Sequence, residues 1–584
     1  MSVVLGVHDG HNASVALLRD GRIELALQEE RLTRVKNQGD APGGGVRAAL
    51  ELIDRNYAPV AAPVVALNGH YMNYGQWQRG TILRDYARCS RLGSRLKQTF
   101  KTSAVDRAYQ RRRAAERAGH LSAIGLSGGQ LAPVEHHQAH AAAAYYTSPW
   151  GRTGPRGNTP DRVLVFTCDG SGDRLSATVS VGEAGKLTRI AQVSEHDSIG
   201  RVYALVTRWL GMCPMEHEYK VMGLAPYGAN SRGSAEVARS LEALFECTAD
   251  GLGWRRRKGV PSLYAACEFL GRLLAGQRFD WVAAGAQRFV EKMLTRWVAS
   301  AVRETGIGRI ACSGGVFMNV KANLAILELP EVESMYVFPS CGDESNSIGA
   351  ACFEAARRGE TIEPLGAIYY GDPITDTEAE QALEEAAPRN ASPRARLRFH
   401  WIPDIEKKVA CELAQGRIVA RAKGAAEFGA RALGNRSILA RADSTAAVRT
   451  MNQVIKNRDF WMPFAPAVLA ECASRYYEKP KAVDSPYMMF AFRTRPERRA
   501  ALDGAQHPHD FTTRPQEVRA EHNPAFHRLL EEYESITGEA AVLNTSFNLH
   551  GEPIVYRAWD AVDVFLRSGL EHMALANWWV EKAA

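Results

Sequence analysis

Two histidines four residues apart set the chemistry open to this chain. They lie in Glu135-His136-His137-Gln138-Ala139-His140, which opens a run of small, helix-favouring residues from Ala141 to Ala144. On a helix, side chains at that spacing project from one face, one turn apart, so His136 and His140 can grip one metal ion. His137 is one residue off that face and reads as a packing or supporting residue. The pair falls between two glycine-rich segments, Asp9-Gly10-His11-Asn12 and Asp169-Gly170-Ser171-Gly172-Asp173, which read as phosphate loops. A metal beside a phosphate site points to an enzyme rather than a scaffold. A third glycine turn, Ser313-Gly314-Gly315-Val316-Phe317-Met318-Asn319, has the form of a strand-to-helix corner whose free N–H groups can hold phosphate. Asp343 precedes a small-residue helix over 347–356, where a carboxylate caps the helix or binds a cation. Further on, Glu427-Phe-Gly-Ala-Arg431-Ala-Leu-Gly-Asn-Arg436-Ser437 sets two arginines among glycine turns, a pattern suited to anions because guanidinium forks match phosphate oxygens.

The elements that must carry these residues follow one grammar used twice. Strands are expected over 3–7, 13–18 and 22–28, with a glycine loop after the first and an Asp20-Gly21 hairpin after the second. The same order recurs over 163–167, 175–181 and 187–193, again with a polar glycine loop after the first strand. Two copies of one unit predict an internally duplicated α/β fold. Over 309–312 a further strand leads into the third glycine turn. From 357 to 398 the chain becomes charged and Pro/Gly-punctuated around an acidic helix at 377–386, so the domain boundary is expected there. A helix over 407–415 and a strand over 416–422 follow. The resulting division is a first domain at 1–365, a linker region at 366–402 and a second domain at 403–584.

Chain-wide properties exclude several classes. At 584 residues and 46% hydrophobic content the sequence holds two or three ordinary globular domains. The first residues lack the basic start of a signal peptide, and no apolar run is long enough to span a bilayer, so a cytoplasmic protein is expected. The ten cysteines occur singly, without a CxxC pair, and read as reduced packing residues. The net charge of +7 is modest, and the basic clusters Arg111-Arg112-Arg113 and Arg255-Arg256-Arg257-Lys258 lack stacking aromatics. No nucleic-acid partner is expected.

Seven motifs in sequence order resemble the NodU/TobZ-type O-carbamoyltransferases nearly end to end. They are Gly6-Val-His-Asp-Gly-His11-Asn-Ala-Ser14, Glu29 to Lys36, His136 to His140, Lys220 to Tyr227, Ser313-Gly-Gly, Phe428 to Ser437 and Asn544-Thr-Ser-Phe-Asn548. The resemblance implies a duplicated actin-like (ASKHA) first domain, similar to the metal-binding protein that completes threonylcarbamoyl modification of tRNA. It implies a YrdC-like second domain, whose KxR and SxN signatures match Lys456-Asn-Arg458 and Ser546-Phe-Asn548. In such enzymes the second domain makes carbamoyl-adenylate from carbamoyl phosphate and ATP (with Mg), and the first transfers the carbamoyl group to a hydroxyl.

Residue roles follow by resemblance. The metal ligands are His136, His140, Asp169 and Asp343; Fe(II) is favoured, and Zn or Mn also suit two imidazoles with two carboxylates. His11 is the general base, as imidazole titrates near neutrality. Lys36, Glu218, Lys220, Gly314, Gly315 and Asn319 hold carbamoyl-adenylate in the first domain. Arg431, Arg436, Lys456, Arg458, Arg514, Ser546 and Asn548 hold ATP and carbamoyl phosphate in the second. Met462 departs from the pattern, because relatives often carry arginine before the Pro-Phe-Ala-Pro that starts here at Pro463. The acceptor is expected to be a hydroxyl-bearing small natural product, as in antibiotic biosynthesis, selected by loops at 71–78 and 194–219. The nearest rival is a tRNA-modifying enzyme using bicarbonate and threonine. A sugar kinase would leave KxR and SxN idle, and a non-catalytic nucleotide-binding regulator would leave His11, Lys456 and Ser546 without a role.

Overall fold

A computed structural model describes residues 2–57, 63–70, 104–126, 131–151, 162–386, 397–456 and 458–582. The chain divides into two compact units. One comprises Met1–Glu29 and Asn37–Leu365; the other comprises Glu30–Lys36 and Gly366–Ala584.

In the N-terminal unit, β1 (Val3–His8), β2 (Ser14–Arg19), β3 (Arg22–Gln28), β4 (Val64–Asn68) and β5 (Leu131–Val134) form a sheet in the order β3-β2-β1-β4-β5. β1 pairs antiparallel with β2 and parallel with β4. All six residues of β1 are buried, as an apolar central strand covered on both faces requires. A second sheet uses β6 (Val163–Gly172), β7 (Leu175–Glu183) and β8 (Lys186–Ser194). After the two-stranded ribbon of β9 (Phe245–Cys247) and β10 (Trp254–Arg256), it is completed by β11 (Arg309–Ser313) and β12 (Ser334–Val337). Its order, β12-β11-β6-β7-β8, read from the other edge, is that of the first sheet. The polarities match as well: β6 is antiparallel to β7 and parallel to β11. The two three-strand openings legible in the sequence are therefore equivalent parts of two alike sheets.

Helix His136–Tyr146 carries both histidines, Asp169 lies on β6, and Asp343 opens the short turn Asp343–Ser345 that leads into helix Asn346–Arg357. The two helices pack closely at Gly349, where an added Cβ would lie 1.9 Å from the Ala139 carbonyl oxygen. A side chain there would push the helices apart, so glycine fixes how near Asp343 comes to the histidines. A 27-residue helix, Phe279–Thr305, covers further core with Phe289, Leu294 and Trp297.

The C-terminal unit is built on an eight-stranded mixed sheet, β14-β25-β24-β15-β17-β23-β18-β22. Its strands are β14 (Leu397–Trp401), β15 (Val419–Ala422), β17 (Arg436–Arg441), β18 (Ala465–Leu469), β22 (Gln516–Val518), β23 (Ala541–Ser546), β24 (His572–Leu575) and β25 (Trp578–Lys582). β13 (Tyr369–Ile374) pairs with β16 (Gly424–Glu427), and β19 (Tyr477–Glu478), β20 (Phe492–Thr494) and β21 (Thr512–Thr513) make a small third sheet. The stretch read as a linker carries β13, the helix Asp376–Ala386 and β14. Its charged composition reflects elements with one solvent face; Trp401 on the edge strand is half exposed.

Candidate functional site

Helix His136–Tyr146 starts where its sequence says it should. Glu135 is the N-cap and accepts from the backbone N–H of His137 and Gln138. Asp173, from the second glycine loop, accepts from the N–H of His136 at 2.9 Å and from His70 N–H at 2.9 Å. Gly172 lets that loop approach; a Cβ there would lie 2.1 Å from the His136 ring.

The four expected ligands converge. Ligand atoms of His136, His140, Asp169 and Asp343 all lie within 4.8 Å of one another. His136 Nε2 is 3.4 Å from Asp169 Oδ2 and 3.5 Å from Asp343 Oδ1, and His140 Nε2 is 3.5 Å from the same Asp343 oxygen. Ligands about 2.1 Å from a shared ion sit roughly 3.0–3.4 Å apart, so these spacings suit a common cation. Ser313 and Ser345 hydroxyls lie 3.3 Å from His140 Nδ1 and Asn346 Nδ2 lies 3.2 Å from its Nε2, which fits the tautomer with the proton on Nδ1 and the lone pair on Nε2. Burial opposes charge on His136, but Asp343 and Asp169 outweigh it and raise its pKa to about 9. Burial likewise opposes the Asp343 carboxylate, yet His136 and His140 hold its pKa below the ordinary range. Asp169 ends lowered as well: burial and Asp343 push it up, and His136 pulls it down further. The donor set fits a divalent ion.

His137 sits off that face and meets Thr167 Oγ1 at 2.8 Å, so it supports the helix from behind. His11 is buried on the β1–β2 loop, and its carbonyl receives the Nε2 of His8 at 2.8 Å. Asn68 reaches the other nitrogen of His8 at 2.8 Å, and burial lowers its pKa to about 4, so His8 is a neutral strut under the loop. Ser14 donates to the Glu344 carbonyl at 2.8 Å, tying the loop to the turn that bears Asp343. Arg117 grips Asp9 with bonds of 2.7 and 2.6 Å. Gly315 N–H donates to Asp169 Oδ1 at 3.1 Å, while Gly314, at φ 100°, turns the corner beside Cys168.

Four other residues expected in the first-domain site have the following places. Asn319 caps helix Val320–Leu327, and its amide exchanges bonds of 2.8 and 3.0 Å with Gln287, so it serves the corner. Glu218 begins helix Glu218–Gly228 and accepts from Met215 N–H at 2.7 Å; burial pushes its pKa up to about 7. Lys220 lies in the first turn of that helix. Lys36 belongs instead to the C-terminal unit.

In that unit the KxR and SxN motifs meet. Lys456 ends a π-helical turn, Asn452–Lys456, a distortion frequent at functional sites. Its ammonium donates to Asn548 Oδ1 at 2.6 Å, Asn548 O at 3.1 Å, Ser546 Oγ at 3.2 Å and the Ser546 carbonyl. Burial first, then Arg458 and Lys36, pull its pKa well below that of an ordinary lysine. Arg514 is pulled well down by burial, Arg431 and Arg458. Cations thus face cations, as in a site shaped for anions. Met462 donates its N–H to the Asp459 carbonyl at 3.1 Å, and Arg458 lies close enough to Arg514 for its charge to act there.

Arg436, expected at the phosphates, is held by backbone carbonyls. Its guanidinium donates to the carbonyls of Tyr556 (2.9 Å), Gly424 (2.9 Å), Asn435 (3.0 Å), Asp372 (3.3 Å) and Lys423 (3.4 Å). Each of its three nitrogens meets a backbone carbonyl, so here it clamps the fold.

Sequence reasoning missed His8, Arg117 and Asp173 as supports. Asp173 stood in the same glycine loop, a usable signal; Arg117, 108 residues from Asp9, gave none. Of the acceptor loops, 71–78 lies outside the described residues, and 194–219 contains helix Ile199–Trp209. In the second basic cluster, Arg255 pairs with Glu246 and Arg256 with Asp197. No helix among the described residues is long and apolar enough to cross a membrane, and the nine described cysteines are free.

Comparison with known proteins adds a family. The profile for the carbamoyltransferase N-terminus matches residues 3–352, and that for the carbamoyltransferase C-terminus matches 410–582. Nodulation protein NolO of Bradyrhizobium diazoefficiens is 32% identical over 468 residues, 77% of this chain and 79% of that protein. Nodulation protein NolNO of Sinorhizobium fredii is 29% identical over 98% of this chain and 79% of its own length. The 3'-hydroxymethylcephem-O-carbamoyltransferase of Streptomyces clavuligerus is 27% identical over 62% of this chain and 65% of its own. Among solved structures, full-length HypF in its phosphate- and nucleotide-bound form aligns with a TM-score of 0.31 at 15% identity, covering 61% of this chain and 55% of HypF. That superposition is too loose to bear on function.

Proposed function

The chain belongs to the carbamoyltransferase family, and from that premise we propose that it is an ATP-dependent O-carbamoyltransferase working in two steps. In the C-terminal unit, read as YrdC-like over 403–584, water cleaves carbamoyl phosphate to carbamate and phosphate, and the carbamate oxygen attacks the α-phosphorus of Mg-ATP to give carbamoyl-adenylate and pyrophosphate. In the N-terminal unit, read as a duplicated actin-like domain over 1–365, the carbamoyl group passes to a hydroxyl of a small natural product and AMP leaves. The shared strand order of the two five-stranded sheets supports the actin-like reading.

The observation that carries the proposal is the cationic cluster around Lys456 and Arg514. Bringing a triphosphate and carbamoyl phosphate together concentrates negative charge that cations must offset. Lys456, held by Ser546 and Asn548, is opposed by the charges of Arg458 and Lys36, and Arg514 by those of Arg431 and Arg458. Bound phosphate oxygens turn that repulsion into attraction.

In the transfer half, His11 takes the proton of the acceptor hydroxyl, on a loop stiffened by His8 and by the Asp9–Arg117 pair. Gly314 and Gly315 admit the nucleotide closely, and Lys220 and Glu218 flank its phosphate. A divalent ion at His136, His140, Asp169 and Asp343, iron(II) by preference and zinc or manganese by donor type, supplies Lewis acidity and anchors the nucleotide when bound. Such transfer chemistry joins the chain to secondary metabolism, in the class of the cephem enzyme it resembles.

His11→Asn separates the two halves. Carbamoyl phosphate-dependent pyrophosphate release should persist, while carbamoylation across a panel of hydroxyl acceptors should fall by roughly 10²- to 10⁴-fold, the usual worth of a general base. Equal loss of both activities would defeat this division of labour.

A further inference from the structure

The chain enters the C-terminal unit briefly at Glu30–Lys36, returns to the N-terminal unit, and enters again only at Gly366. The seven-residue strap is firmly held. Arg31 donates to the Gly429 carbonyl at 2.5 Å, on the loop that leads to Arg431. Arg34 donates to the carbonyls of Ile554 at 2.6 Å and Pro553 at 3.1 Å. Its guanidinium also lies 3.7 Å from Asp560 and 4.0 Å from Glu552.

Those partners form the chain just after Asn548. Asn548 Nδ2 donates to the Glu552 carbonyl at 2.6 Å, which turns its Oδ1 toward the Lys456 ammonium at 2.6 Å. The Glu552 carboxylate is itself gripped by Arg567 at 2.7 and 2.9 Å. Arg436 holds the far end of this loop through the Tyr556 carbonyl at 2.9 Å. Arg34 therefore reaches the Lys456 ammonium through three successive contacts, its own with the loop, Asn548 with the Glu552 carbonyl, and Lys456 with Asn548, in a loop anchored on both sides. At the strap's end, Lys36 is near enough for its charge to act on Lys456.

We propose that residues 30–36 complete the anion site of the C-terminal unit: Arg34 is a positioning residue that fixes the 548–554 loop, and Lys36 contributes a cation. The inference rests on the reading of that site as the one that binds ATP and carbamoyl phosphate. A guanidinium suits the task because its fork reaches two successive carbonyls and a carboxylate at once, which an ammonium does less well.

The test uses the full chain with Arg34→Ala, Arg34→Lys, Lys36→Gln and Lys456→Ala. Hydrogen exchange in Arg34→Ala should rise at 547–556 while strands β1 and β6 stay protected, and Arg34→Lys should restore part of that protection. ATP titration is read as the component that Lys456→Ala abolishes. Its dissociation constant should rise about tenfold in Arg34→Ala and several-fold in Lys36→Gln, with weaker salt dependence in the latter. Unchanged exchange in Arg34→Ala overturns the brace, and so does a rise spread over the whole C-terminal unit, since a brace acts locally. Unchanged ATP affinity in both Arg34→Ala and Lys36→Gln removes the strap from the site. If Lys456→Ala leaves ATP binding intact, the reading of the site is what fails, and the exchange comparison still decides the brace.

Discussion

Replacing Arg436 by methionine separates a clamp from a ligand contact. Methionine approximates the length of arginine but donates nothing. Five carbonyls lose a donor, three of them at 2.9–3.0 Å and two at 3.3–3.4 Å. Bonds from a charged donor contribute about 1.5–3 kcal/mol each at good geometry. Against that stands the cost of burying a guanidinium, which methionine recovers. The same cost shows in the pKa of Arg436, pulled down by burial to about 10. The balance is a net loss on the order of 3 kcal/mol, because the carbonyls lose a charged donor while staying inside the fold, although that of Asn435 keeps the Lys423 N–H at 3.0 Å. In a unit of this size that lowers the melting temperature by roughly 6–12 °C. Calorimetric melting of the full chain reads the shift, and ATP titration well below the transition should give nearly wild-type affinity. If Arg436→Met melts like the wild type yet fails to bind ATP, the guanidinium is a phosphate contact and the clamp assignment is wrong.

Three further outcomes follow from the geometry. Asp343→Asn should strip the chain of a metal that the wild type retains after gel filtration, from about one equivalent to below a tenth, measured by elemental analysis; retention would detach Asp343 from the ion. Gly172→Ala changes no ligand, yet its Cβ would arrive 2.1 Å from the His136 ring. Metal affinity should therefore drop at least tenfold, and an unaltered affinity would mean that the loop yields freely. Glu218 has its pKa raised by burial from 4.5 to about 7, so its stabilising contribution is full below pH 4.5 and is lost as pH rises through 7. Glu218→Gln should gain on the wild type in urea melts over that window, and a difference independent of pH would refute the shift.

Much of this was legible because it depends on local spacing. The strands at 3–8 and 163–172 both open as apolar runs; the first ends at its glycine loop, whereas the second runs on through Asp169 to Gly172, expected as loop, and the strand order makes the two equivalent parts of two sheets. His136 and His140 met Asp169 and Asp343 because helix spacing fixes the first pair and sheet-end loops deliver the second. What stayed hidden was how donors are spent. Sequence displays the Arg436 guanidinium but not the five carbonyls that consume it, and it displays Asn319 but not Gln287. The family resemblance puts Lys36 in the first domain, whereas the strap carries it into the other unit. The stretch at 366–402 looked like a linker because edge elements are as polar as linkers on their solvent side.

The decisive measurement is pyrophosphate release from Mg-ATP without any acceptor, with and without carbamoyl phosphate, in the wild type and Lys456→Ala. The account predicts release that requires carbamoyl phosphate and disappears in Lys456→Ala. Release that instead requires bicarbonate and threonine, or that survives in Lys456→Ala, would contradict it.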